Sequence, residues 1–225
     1  MSRRLLVHDL GRQPYAEVLE LQRDLCRRRQ AGEIRDDQLL LVEHEPVVTI
    51  GRGGRPESLP VSAPELERHG VGVFEVERGG DVTFHGPGQL VGYPILDLTQ
   101  HRPDLHWYLR SLEASMVQSL SAFDIDAGTR PGLTGVWTQG RKIASIGVHV
   151  KRWITFHGFA LNVTTDLAYF DLIVPCGIRG VVMTSIAAEL RAKQTSGPRK
   201  EATQAVIAGF SSVFDFAPQE VGVPA

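Results

Sequence analysis

Two hydrophobic periods alternate along the chain. Residues 4–10 and Gln38–Glu43 carry short apolar runs of strand length. Between them, Tyr15, Val18, Leu21 and Leu25 fall on one helical stripe over about 14–30, and Pro14 suits a first helical position. Cys26 adjoins that stripe and reads as a small core hydrophobe. Glu43–Pro46 closes a strand and Val47–Ile50 supplies the next, whereas Gly51–Pro64 has four glycines or prolines in its first six residues and no apolar period. It is a loop leading to a short helix near Pro64–His69. Val71–Glu77 and Val91–Leu98 read as strands around a glycine-rich stretch. Leu105, Leu109, Leu112, Met116, Leu120 and Phe123 then recur at helical steps, predicting an amphipathic helix over about 103–123 with Pro103 at its start. Gly135–Thr138 is a short strand, and Ile143–Val150 with Ile154–Val163 forms a hairpin across Lys151–Trp153. Asp166 suits the cap of one helical turn, Val174–Ile178 excludes regular helix, and helices resume near Thr184–Arg191 and Lys200–Phe214. Ala217–Ala225 reads as a loose tail. The pattern predicts one mixed α/β domain over 1–225, with a largely antiparallel sheet and flanking helices.

Composition narrows the function. With 225 residues, 42% hydrophobic content and a formal net charge of −2, the chain can bury a large core and carries no basic excess for nucleic acid. Its N-terminal apolar run is too short for a signal peptide, and no run reaches membrane-spanning length. A cytoplasmic monomer that engages neither membrane nor nucleic acid is expected. The two cysteines, Cys26 and Cys176, lie in dissimilar contexts and are expected to stay unpaired in a reducing compartment.

Candidate chemistry centres on Arg78–Pro94, which holds five glycines, two prolines and His85. Glycines in a strand pattern weaken it unless a ligand or another backbone comes close, so this stretch is expected to wall a site. No lysine and Ser/Thr follow as a phosphate loop requires, and position 91 is valine where a dinucleotide fingerprint needs glycine. Arg78 could meet an anion or be a solvated charge at a hairpin corner. His44, His85, His149 and His157 lack metal-ligand spacing, so no metal is expected. Cys176, between Pro175 and Gly177, is either a structural thiol or a nucleophile. A thiol attacks only as thiolate, so it would need a base or cation nearby. Lys142 precedes an apolar strand and alternates onto one face with Ala144, Ile146 and Val148; it is either an edge charge or a reactive amine. Spacing alone does not bring Lys142 and Cys176 together.

Taken together, Arg78–Pro94, Arg141–Gly147, His157–Asn162 and Pro175–Ile178 resemble the signature blocks of the lipoyl(octanoyl) transferases. Leu39–Pro46, followed by Gly51-Arg52, is similar to that family's N-terminal block, with Glu45 at a position the family varies. The likeness spans about residues 4–215, and the ends match least. It implies the α/β module shared by lipoate ligases and the catalytic domain of biotin protein ligases. It also implies transfer of an octanoyl group from octanoyl-acyl carrier protein to a lysine of lipoyl domains, as in the E2 subunits of 2-oxoacid dehydrogenases or the glycine cleavage H protein, without ATP or any cofactor. By the same resemblance Cys176 is the acyl-thioester nucleophile, and Lys142 lowers the pKa of its thiol and carries protons. Substrate contacts fall to Arg78, Gly79, Gly80, Asp81, Val82, Thr83, Phe84 and His85, to Ser145, Ile146 and Gly147, and to Gly158, Phe159 and Ala160. Backbone N–H groups beside Gly147 or Gly177 would suit the tetrahedral oxyanion, and the glycines of 78–94 would leave room for the acyl chain and pantetheine arm. Two other readings compete: an ATP-dependent ligase on the same fold, which has no use for Cys176, and a non-catalytic binding module.

Overall fold

The computed structural model describes residues 2–178, 180–190 and 198–224. Strand β1 (Arg3–Gln13), helix α1 (Tyr15–Gln30) and strand β2 (Asp37–His44) form the first unit. β1 and β2 run parallel, which requires a crossover, and α1 provides it. The buried side of α1 carries Tyr15, Val18, Leu19, Leu25 and Cys26, as the stripe predicts, but also Gln22 and Arg29. Next come β3 (Val47–Ile50), α2 (Ala63–Arg68), β4 (Gly72–Glu75), β5 (Val82–His85) and β6 (Gln89–Ile95). β5 lies inside the glycine-rich stretch, where the pattern gives no strand.

Helix α3 (Leu105–Ser121) starts on Asp104, whose carboxylate accepts from the Trp107 N–H. Pro103 therefore sits outside it. Leu105 is exposed, and the buried face runs instead through Tyr108, Leu112, Met116 and Leu120. β7 (Gly128–Arg130), β8 (Leu133–Thr138), β9 (Arg141–Lys151) and β10 (Ile154–Asn162) follow as an antiparallel meander. Asp166 caps the turn Leu167–Leu172 as expected, by accepting from Ala168 N–H. Helix α4 (Ile186–Glu189) is shorter than the predicted helix, whose last residue, 191, lies outside the described residues. α5 spans Pro198–Phe214. The expected loose tail is not loose: Phe216–Val221 forms β11, paired parallel to β1 from Arg3↔Phe216 to His8↔Val221. A strand one residue after a helix carries little sequence signal, because the pairing partner is at the other end of the chain.

The large sheet has eight strands in the order β11-β1-β2-β6-β10-β9-β8-β7, parallel only at β11-β1-β2. The main core lies between it and the α3–α5 pair, with Leu41, Leu112, Met116, Leu161, Val206 and Phe210 at its centre. A second core lies under α1, built on Leu25, Leu40, Val91 and Phe156. The small sheet β4-β3-β5 has its own core around Val48, Leu66, Phe84 and Phe170.

Candidate active site

Where the small sheet meets the large one, a cavity of about 330 Å³ opens. That volume is at the small end of the range for small-molecule pockets. Its walls come from the loop into β5, from β6, β9 and β10, from the start of α1, and from the turn holding Cys176. Arg78, Gly80, Asp81, Val82, Thr83, His85, Ser145, Ile146, Gly147, Gly158, Phe159, Ala160 and Cys176 all line it. Three stretches far apart in sequence therefore converge on one hollow.

The reactive pair meets here. Val174–Ile178 forms a single tight turn, and Cys176 adopts left-handed backbone (φ 57°, ψ 19°). Non-glycine residues in that region carry strain and cluster at functional sites. The half-buried Cys176 thiol accepts a 3.0 Å hydrogen bond from Lys142 Nζ. Lys142 is buried, 1% exposed, which removes the edge-charge reading. Its backbone is clamped by a short parallel bridge: Lys142 N–H donates to Val182 O at 2.8 Å, and Thr184 N–H to Lys142 O at 2.9 Å. That bridge ties β9 to the segment after the nucleophile turn. A side-chain relay holds the segment in turn. Asn162 donates to Thr184 O, Gln89 donates to Asn162 Oδ1, and His85 Nδ1 meets Gln89 Oε1 at 2.8 Å.

That relay fixes the His85 tautomer. Gln89 spends its amide on Asn162 Oδ1 and the Phe84 carbonyl, so its oxygen must accept and His85 Nδ1–H must donate. Burial, reinforced by the neighbouring His44 ring and the Arg78 guanidinium, pushes the His85 pKa down to about 3. The ring is neutral, with Nε2 left as a lone-pair acceptor. Burial likewise brings His44 to about 4 and His157 to about 3, and lifts Tyr15 to about 12. Tyr15 stacks on His85 at 6.1 Å and meets His44 edge-on at 5.1 Å. Tyr93 O–H lies 2.8 Å from His44 Nε2. This end of the cavity is thus aromatic, with neutral imidazoles beside the buried Arg78 guanidinium. His44 and His85 come together, yet no group of three or more metal-binding side chains exists among the described residues.

Several expectations change. Arg78 is not a solvated corner charge: it is buried, donates to Thr49 O, Thr49 Oγ1 and Gly79 O, and burial lowers its pKa. Phe84 points away, into the small-sheet core against Tyr169 and Phe170. Gly79 is outside the lining, its N–H bonded to Val148 O. The ring of Phe159 lies across Gly92, where an added Cβ would come within 2.1 Å of it. The glycines at 86, 88 and 92 are similarly filled by Phe84, Thr164 and Phe159, so they make room for protein rather than for an acyl chain. The Gly177 N–H is taken by Val174 O, which removes it as an oxyanion donor. Sequence reasoning missed Tyr15, Val91, Tyr93, Gly132, Leu133, Thr134 and Ile178 as lining residues. Only Val91, Tyr93 and Ile178 lay inside blocks already singled out, so only they had a signal.

Most of the chain is similar to known proteins. Residues 14–211 match the family model for the lipoyl protein ligase A/B catalytic domain. A protein named octanoyltransferase from Solibacter usitatus (strain Ellin6076) is 48% identical over 214 residues, covering 95% of this chain and 94% of its own. Among solved structures, lipoate-protein ligase A bound with ATP aligns with a TM-score of 0.77 at 20% identity, over 100% of this chain and 90% of that one. Biotin protein ligase from Aquifex aeolicus in complex with biotin and ATP gives 0.54 at 15% identity, over 94% and 70%. At such identities these structures speak to fold, and the fold is the α/β module that the resemblance implies.

Proposed function

The chain belongs to the lipoyl protein ligase A/B catalytic family and, within it, to the octanoyltransferases, and on that footing we propose that it moves an octanoyl group from octanoyl-acyl carrier protein to a lysine ε-amine of lipoyl domains, through a thioester on Cys176. The observation that carries this reading is the 3.0 Å contact from Lys142 Nζ to Cys176 Sγ at the wall of the cavity. A ligase that activates its acid with ATP has no role for such a pair.

The steps balance in atoms and charge. The Cys176 thiolate attacks the carrier thioester, the carbon–sulfur bond to the carrier breaks, and the departing pantetheine thiolate takes a proton from the Lys142 ammonium. The target lysine amine then attacks the Cys176 thioester, Lys142 takes one amine proton, and Cys176 leaves as thiolate beside the regenerated ammonium. The first step exchanges one thioester for another and the second converts thioester to amide, which is downhill, so neither ATP nor a cofactor enters. The aromatic end of the cavity suits the alkyl chain, each buried methylene contributing about 0.8 kcal/mol. In this reading the chain acts as a monomeric, single-domain enzyme. Its acceptors are lipoyl domains of 2-oxoacid dehydrogenase E2 subunits and of the glycine cleavage H protein.

Intact-mass analysis after incubation with octanoyl-acyl carrier protein, without ATP, tests the proposal. An increment of one octanoyl group, absent in Cys176→Ser and chased onto a lipoyl domain, is expected. Labelling that requires ATP and free acid, or that survives Cys176→Ser, overturns it.

A further inference from the structure

We propose that Trp137 is a positioning residue for the Lys142–Cys176 pair. The face of its indole holds Lys142 in the cationic form, and thereby Cys176 as thiolate, at a place where no carboxylate does so. The inference rests on the reading of Cys176 as a nucleophile.

A buried ammonium is costly unless its charge is compensated. An ammonium has three N–H donors, and for Lys142 one is spent on Cys176 Sγ. Among the described residues no carboxylate forms a salt bridge with it, and the carboxylates nearby are committed elsewhere. Glu113, on α3, accepts from Gly135 N–H and pairs with Arg110. Asp81, beside Gly177, is held by Ser58 and Arg55. Glu189 pairs with Arg141. The other charges in view are positive: Arg78, which interacts with Cys176, and Arg130, whose guanidinium lies 5.9 Å from the Trp137 ring and donates to Gly140 O. His157, on β10, is neutral.

What faces Lys142 instead is a π surface. Its Nζ lies 5.2 Å from the centroid of the Trp137 ring, inside the roughly 6 Å reach of a cation–π contact. Strand register creates this contact. Trp137 and Lys142 are direct cross-strand partners, and a bulge between Val136 and Trp137 sets that pairing. Gly135, at φ +133°, clears the approach: a Cβ there would stand 2.7 Å from Lys142 Cε. Trp137 is itself 4% exposed, so the ring works in a desolvated setting, where such contacts are strongest.

The test reads thiolate character without substrate, as the iodoacetamide alkylation rate at Cys176, followed by peptide mass, at pH 7 and at about pH 10, where a free thiol is ionised. Trp137→Leu is expected to lower the pH 7 rate about 5- to 10-fold while the rates converge at high pH. Trp137→Phe, which keeps a π face, should fall between. Because leucine could loosen packing, a second experiment keeps the shape. The chain has three tryptophans, so a Trp107→Phe/Trp153→Phe background leaves Trp137 alone to be replaced by mono-, di- and trifluorotryptophan. A stepwise fall in the pH 7 rate with fluorination is expected. A flat series, or a Trp137→Leu enzyme equally slow at both pH values, overturns the proposal. Loss of the octanoyl mass increment with the fluorination trend intact would instead overturn the acyl-transfer reading alone.

Discussion

Two of the buried cations in this molecule, Arg29 and Lys142, sit in opposite company. Arg29 donates to Asp37 at 3.0 Å, Asp37 also holds His101 at 2.6 Å, and all three side chains are nearly inaccessible. Arg29 further donates to Ile34 O, and Asp97 N–H donates to Asp37. Lys142 is buried as deeply, but its company is a thiol and an indole face. The first cluster gives its cation a carboxylate and a backbone carbonyl, although Arg29 Nε has no partner, and links α1 to β2 and to the segment after β6. The second leaves its cation with a thiol, whose charge state can change, and with an indole face, whose charge state cannot. A carboxylate partner serves stability; a thiol partner leaves a proton free to move.

The comparison can be broken most sharply at Lys142. Lys142→Met, similar in volume, should cut acyl transfer by ~10²–10⁴-fold, the usual worth of a positioned acid–base group. Its thermal midpoint should hold or rise, since an apolar isostere in place of a buried charge is often neutral or stabilising. A marked fall in the midpoint would place Lys142 in the same structural class as Arg29. Asp37→Ala should do the reverse: stranding Arg29 costs about 3–5 kcal/mol, measured by denaturant unfolding, while Cys176 alkylation in the folded protein keeps its rate.

A third effect comes from the neutral imidazoles. His44, His85 and His157 have folded pKa values of about 4, 3 and 3, against 6.5 when unfolded. Below pH 6.5 the unfolded chain binds protons that the folded one refuses. Stability is therefore full above that pH and lost as pH falls toward 4, by up to ~1.4 kcal/mol per histidine per unit. Thermal melts from pH 7 to 4 should show this slope, and His85→Gln should lessen it. The smallest change is expected at Arg55, which ties Asp81 to Gly177 O from an exposed position. Arg55→Ala should cost no more than ~1 kcal/mol in unfolding free energy, because the exposed Arg55 end of the pair is screened by water and the buried Asp81 keeps its bond from Ser58.

Much of the fold was legible because its segments bury one face at a regular period. The stripe at Tyr15, Val18 and Leu25 and the Ile143–Val163 hairpin sit where the spacing puts them. The misses share a cause. β11, the outward turn of Leu105, and the direction of Phe84 each depend on a partner distant in sequence, and local periodicity carries no term for such a partner.

The candidate site divides in the same way. Sequence alone determined which residue types and blocks matter: Cys176 off any regular element, Lys142 at the head of an apolar strand, and glycines crowded between Arg78 and Pro94. These are properties of side chains and short runs, written in local order. Only the tertiary structure decided that Lys142 Nζ reaches Cys176 Sγ, that Arg78 is spent on Thr49, that the glycines admit Phe84 and Phe159, and that Trp137 rather than a carboxylate faces the lysine. Those outcomes turn on distances of a few ångströms between segments tens of residues apart. Strand register and the packing of two sheets set such distances, and neither is encoded at any single position.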